Sequence, residues 1–145
     1  MKTRLGLFLL PILLALLGYA IYYSYYKNSD TLQAKIEEAK EKAFGELKSG
    51  DPDARGRAIL DLGLLDAKEH TKDIAAFLKD KDENIRCNAI WALGQFEAKE
   101  YTKEIIGSLK DDAKVTFYNC ETTVSSVAEQ VLKEWGLDAG GQKSK

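Results

Sequence analysis

RGRAILDLGLLDAKEHTKDIAAFLKD, residues 55–80, is the stretch that decides the fold, because it returns as RCNAIWALGQFEAKEYTKEIIGSLKD at residues 86–111. The shift is 31 residues, and 14 of the 26 aligned positions are identical. A fixed period of about 20 to 50 residues is the signature of stacked repeats. We therefore expect an array of similar units, each of which packs against its neighbours.

Each copy predicts a pair of helices. The first helix begins after an aspartate, Asp51 or Asp82, which can cap it, and Pro52 suits the first helical position. Gly63 and Gly94 near its end are expected to relieve crowding or to help terminate it. A short turn then leads to a second helix at about residues 71–79 and 102–110. The apolar positions of the first helix keep helical spacing and match between copies: Ala58, Ile59 and Leu62 with Ala89, Ile90 and Leu93.

The pattern extends to both sides of the two copies. A helix that begins at Ser29 or Asp30 and ends at Gly50 would supply the second helix of a degenerate first unit. On the other side, an insertion of eight residues delays the next first helix, which starts near Val124. Residues 137–145 predict a flexible tail.

The segments DPDAR to LG at 51–63 and DENIR to LG at 82–94 resemble HEAT repeats, in the short bacterial form of about 30 residues that is also found in phycobilisome lyases. The resemblance covers about residues 32–136. It implies an all-α fold, a short α-solenoid of stacked helix pairs over residues 29–136 with the insertion at 113–123. It also implies protein binding and assembly as the function.

Residues 1–28 predict a membrane segment. Leu5–Tyr26 contains no charge over 22 residues, and a helix of that length spans about 33 Å, enough for a hydrocarbon core of about 30 Å. Five tyrosines at its end resemble an interfacial aromatic belt, and Lys2 and Arg4 favour a cytoplasmic N-terminus. We expect one N-terminal transmembrane helix in the cytoplasmic membrane, with the repeats on the periplasmic or extracellular side.

A cleaved signal peptide is the alternative. Lys2 and Arg4 would form its n-region, Leu5–Leu17 its apolar core, and Gly18-Tyr19-Ala20 its cleavage site. The mature chain would then be an exported soluble binding module. Both interpretations place the repeats outside the cytoplasm.

Composition and motifs narrow the class of function. A net charge of −2 and a pI near 5.5 argue against nucleic-acid binding. The one histidine, His70, has no accompanying nucleophile and base, and no short Cys/His spacing offers a metal site. We predict no catalytic residue, metal or cofactor, and a role as an accessory or assembly subunit of a membrane complex.

Partner specificity is expected where the copies differ. Trp91 replaces Leu60, Tyr101 replaces His70, and the insertion brings Phe117 and Tyr118. Insertions into repeat arrays map to one face, often the binding face. The predicted partner-binding residues are therefore Trp91, Tyr101, Phe117 and Tyr118. The alternative is that Trp91 packs in the core and that the rings of the insertion cover the end of the stack.

The two cysteines, Cys87 and Cys120, lie on successive units. Export to an oxidising compartment would permit a disulfide between them. The alternative is one small buried thiol and one exposed thiol in the insertion.

Overall fold

The structure is a computed structural model that describes residues 5–143, with side chains described from residue 15 onward. By its contacts the chain divides into an N-terminal region, which ends at Glu38, and a repeat domain, which begins at Ala39. Helix α1 (Leu5–Glu46) is continuous across that boundary. The predicted helix start at Ser29 or Asp30 is therefore wrong. No glycine or proline interrupts residues 19–44, so these two polar residues remain helical instead of acting as caps.

In the N-terminal region, eight large apolar or aromatic side chains between Leu16 and Tyr26 are 56–76% exposed. Among the residues whose side chains are described, no helix combines the length and apolar composition needed to cross a membrane. Of the predicted span, the side chains of residues 5–14 lie outside that part of the chain. Lys2 and Arg4 lie outside the described residues altogether.

The repeat domain contains two layers of helices. The first helices are α2 (Pro52–Leu64), α4 (Glu83–Gln95) and α6 (Val124–Glu134). The second helices are the last turns of α1, then α3 (Thr71–Ala75) and α5 (Thr102–Gly107), which continue as 3-10 turns at Ala76–Lys79 and Ser108–Lys110. Asp51 and Asp82 cap α2 and α4 as predicted, since their carboxylates accept backbone N–H bonds from Asp53 and from Asn84 and Ile85.

The first helices stack at their glycines. A methyl group on Gly63 would lie 2.6 Å from Cζ3 of Trp91 on α4, and one on Gly94 would lie 2.8 Å from Cγ2 of Val131 on α6. Such distances are shorter than van der Waals contact, so only glycine permits this approach. The glycines relieve crowding inside the helices, and they do not terminate them.

The same turn ends all three first helices. Asp66, Glu97 and Gly136 adopt positive φ values of 50°, 54° and 71°. The following amide donates to the carbonyl five residues earlier, as in Ala67 to Leu62, at 2.8–3.1 Å in the three turns. This is the Schellman arrangement, which satisfies the free carbonyls at a helix end. The sequence does not predict this turn after α2 and α4, because neither turn has a glycine at its left-handed position.

The last unit departs from the pattern after this turn. Its residues 137–143 fold into a closed turn in which Asp138 accepts backbone bonds from Gly140 and Gln142, both at 2.9 Å. Gly141 (φ +74°) lies against Ile106 of α5. Residues 137–143, predicted to be a flexible tail, thus form a hydrogen-bonded turn, and 144–145 lie outside the described residues. The outer face of α6 is polar and exposed: Ser126, Glu129, Gln130, Lys133 and Glu134.

Candidate partner-binding site

The insertion folds as a β-hairpin, so the all-α prediction needs one correction. Strands β1 (Lys114–Phe117) and β2 (Cys120–Thr123) pair antiparallel, with Phe117 opposite Cys120. The two-residue loop between them, Tyr118-Asn119, has φ values of 49° and 63°. Positive φ at both central residues is what a type I′ hairpin turn requires. Asparagine tolerates this conformation, whereas tyrosine seldom adopts it.

The base of the hairpin is fixed by an ion pair. Arg86 of α4 donates from Nε to Asp111 at 2.7 Å and from Nη2 at 3.2 Å, and it also donates to the Asp80 carbonyl at 2.8 Å. These bonds lower the pKa of Asp111 and raise the pKa of Arg86. Where the hairpin returns, the Ser125 amide donates to the Asp111 carbonyl at 2.8 Å. Both ends of the insertion are therefore held at one point on α4.

Above this base the hairpin lies on α4. Val115 is buried in the core. At the tip, Trp91 of α4 meets the rings of Phe117 and Tyr118, with ring centroids 6.0 and 5.8 Å away and interplanar angles of 58° and 67°. Phe117 and Tyr118 are 4.7 Å apart and nearly perpendicular. Three of the four residues predicted to bind a partner thus form one group, which we call the aromatic cluster.

Ring separations decide what the aromatic cluster can do. Rings with centroids 4.7–6.0 Å apart are in contact. Tyr118 meets both other rings in the edge-to-face geometry that aromatic pairs prefer, and Trp91 and Phe117 are tilted. No cation fits between rings that touch, so the cluster is not an aromatic cage. Tyr118 is 57% exposed, while Trp91 and Phe117 are half-buried. The cluster is therefore a partly exposed aromatic surface supported by ring contacts.

The fourth predicted residue, Tyr101, lies elsewhere. It closes the 3-10 turn Lys99–Tyr101 before α5, where its half-buried ring packs against the core. Its counterpart His70 stacks on Phe44 of α1, with centroids 4.0 Å apart, and its Nδ1 is 3.7 Å from Asp73. His70 thus joins the end of α1 to the turn before α3.

The cysteines do not form a disulfide. Both are free, Cys87 in the core of α4 and Cys120 exposed on β2. Burial, with the nearby negative charge of Asp111, raises the pKa of Cys87 to about 12. A thiol that stays protonated and covered is chemically inert. In the described part of the chain, no three His, Cys, Asp or Glu side chains converge as a metal site.

These observations define the class: a short array of stacked helix pairs, a helical repeat protein of the solenoid type, with one hairpin inserted. A family model of HEAT repeats matches residues 41–116, just over half of the chain. The chain belongs to the HEAT-repeat family, as its sequence pattern indicated. Repeats of this family generally mediate protein–protein interaction and are typically non-enzymatic scaffolds. No curated protein matches the chain.

Sequence reasoning missed two features of the site. The second strand, Cys-Glu-Thr-Thr, lacks alternating apolar residues, so nothing marks it as a strand. The anchoring of the hairpin by Asp111 was also missed. The available signal was the repeated Arg86, which is matched by Arg55, and the Nη1 atoms of both arginines donate to a carbonyl six residues earlier.

Proposed function

We propose that this protein is a membrane-anchored interaction scaffold, an accessory or assembly subunit of a membrane complex, and that the aromatic cluster holds its protein partner. The observation that carries the proposal is the exposed Tyr118 ring, supported from below by Phe117 and Trp91. Binding energy at protein interfaces concentrates in a few aromatic and arginine side chains that are rigidly held.

The chemistry of the N-terminal region supports the anchor. Apart from Ser24, its exposed side chains between Leu16 and Tyr26 are apolar or aromatic. Tyr19 and Tyr22 stack on Tyr23 and Tyr26 one turn later. A helix with this surface needs an apolar surrounding, and tyrosine suits the headgroup level of a bilayer. The proposed topology has residues 5–26 in the cytoplasmic membrane, the N-terminus inside and the repeats outside.

The binding half of the proposal is tested by capture of the partner from detergent extract. Tyr118→Ala should weaken capture by roughly 30-fold if the ring is a hot spot worth about 2 kcal/mol. The matched control is Thr116→Ala, which changes an exposed residue of β1 beside the cluster. Equal capture by both variants, at unchanged helical content, would contradict the assignment.

The second candidate function is an exported soluble module released by signal cleavage, with the same binding site. Gly18-Tyr19-Ala20 is the feature that favours it. Mass spectrometry of the mature chain separates the two. A first residue of Ile21 supports the soluble module, whereas an intact Met1 or Lys2 supports the anchor.

A further inference from the structure

The first helices use one face to pack on the helix before them. On α4 this face contains Asn88, Trp91 and Ala92: Asn88 donates to the Gly56 carbonyl at 3.1 Å, and Trp91 and Ala92 approach Gly63 of α2. On α6 the same position is held by Val131, which approaches Gly94 of α4. The backward-facing surface of a first helix is thus a helix-packing surface in both stacking steps.

Helix α2 has the same face, and it is open. One repeat earlier than Asn88, Trp91 and Ala92 stand Arg57, Leu60 and Asp61, and Leu64 extends the face by one turn. Leu64 is 65% exposed, and Arg57 and Asp61 are also exposed. Within the described residues no first helix precedes α2, because the first unit contributes only the end of α1. Leu60 is half-buried, and it lies one turn before the exposed Leu64. Apolar area left open on a surface that the other first helices use for helix packing indicates an unfilled interface.

The charged residues on this face of α2 indicate which kind of partner can bind to it. Arg57 and Asp61 lie one turn apart on α2. When two copies of α2 are related by a two-fold axis, they run antiparallel, and the order of these two charges is opposite in the facing helix. Arg57 of one copy then meets Asp61 of the other, twice, around the leucines. An isologous interface requires this kind of self-complementarity, in which a patch binds an identical patch.

The adjoining end of α1 repeats the arrangement. Lys42 and Glu46, also one turn apart, line a shallow groove of about 200 Å³ together with Asp61 and Leu65, and Ala39 and Ala43 form its small side chains. The rim of this groove again carries one charge of each sign on one helix. Each of the two helices at this end of the repeat domain therefore carries a pair of opposite charges one turn apart.

We propose that two copies of this chain associate through the open face of α2, defined by Arg57, Leu60, Asp61 and Leu64. In this dimer the α2 helices run antiparallel, the leucines are buried and the two Arg57–Asp61 pairs cross the interface. The dimer does not depend on the aromatic cluster, so failure of either proposal leaves the other standing.

The test uses the full chain in detergent micelles, with the dissociation constant of self-association measured by analytical ultracentrifugation. Arg57→Asp gives a face with two negative charges, and Asp61→Arg gives a face with two positive charges. Each variant alone should dimerise at least roughly tenfold more weakly than the parent, because like charges then meet. An equimolar mixture of the two should form heterodimers, since each face now complements the other.

The matched controls are Lys133→Asp and Glu129→Arg, which alter an exposed pair of opposite charges one turn apart on α6. They should dimerise like the parent. A parent that stays monomeric, single variants that associate as strongly as the parent, or a mixture that stays monomeric would each overturn the proposal. If the apolar N-terminal residues drive association instead, the single variants will associate as strongly as the parent, which is the second of these results.

Discussion

Replacing Gly94 by alanine tests the stacking of the first helices directly. In an exposed helix the change would stabilise by up to about 1 kcal/mol, because alanine is the better helix former. Here the new methyl group would lie 2.8 Å from Cγ2 and 3.2 Å from Cγ1 of Val131. Overpacking of this kind costs about 1–3 kcal/mol. Subtracting the propensity gain leaves a net loss of about 0–2 kcal/mol.

The assay is urea unfolding followed by circular dichroism, arranged as a double-mutant cycle with Val131→Ala. Removing both Cγ atoms makes room for the methyl group, so Gly94→Ala should cost less in the Val131→Ala background, by at least about 1 kcal/mol. Gly45→Ala is the control, since no atom lies within 4 Å of the methyl group it adds to α1. It should be neutral or stabilising. A Gly94→Ala variant as stable as the parent, with no coupling to Val131, would refute the reasoning.

Three further predictions concern the hairpin and its base. Asp111→Asn should lower the free energy of unfolding by about 2 kcal/mol at pH 7, because the carboxylate loses charged hydrogen bonds to Arg86. The folded state lowers the pKa of Asp111, so its contribution to the free energy of unfolding is complete above the ordinary carboxyl range near 4 and is lost as pH falls through the folded pKa. Below pH 4, the free energy of unfolding should therefore fall less steeply with decreasing pH in the variant than in the parent. Asn119→Gly, at φ 63°, should raise the thermal midpoint by stabilising the type I′ turn by up to about 1 kcal/mol, and a lower midpoint would contradict that turn. Alkylation of the folded protein at pH 8 should label Cys120 and leave Cys87 unmodified by mass spectrometry, because the thiol of Cys87 is buried; rapid double labelling would disprove its burial.

The repeat helices were predictable because their signal is local. Ala58, Ile59 and Leu62 occur at helical spacing, and all three are fully buried. Their caps follow from Asp51 and Asp82, which lie next to the turns they close. Periodicity and capping each need only a few neighbouring residues, so they can be read without knowledge of the fold.

The aromatic cluster was only partly predictable. Its residues were predicted because they break the repeat, yet Trp91 and Tyr118 lie 27 residues apart. They meet because the hairpin is anchored at Asp111 and packs on the core through Val115. That anchoring depends on the Arg86 side chain of α4, which reaches Asp111 at the far end of the same repeat. Tyr101 breaks the repeat equally and remains outside the cluster, so sequence difference alone did not define the site.

The glycines and the residues with positive φ also show which features could not be predicted from local sequence. From the sequence, Gly63 and Gly94 could either relieve crowding or terminate their helices. The close approach of the neighbouring helix in the structure shows that they relieve crowding. Conversely, Asp66 and Glu97 adopt the left-handed conformation that glycine usually provides. A helix end can impose this conformation on other residues when the Schellman bonds and core contacts around it outweigh the steric cost.

Lys133 occupies the position of Gly63 and Gly94 on the last first helix, and it is exposed. A stack of identical units would expose a different helix-packing surface at each end. If these two surfaces bind each other head to tail, the contact does not close into a ring and produces fibres. A long charged side chain at the point where the next helix would approach removes one of those ends. Head-to-tail growth is then opposed at α6, and the proposed two-fold contact through α2 closes on itself and produces no fibre.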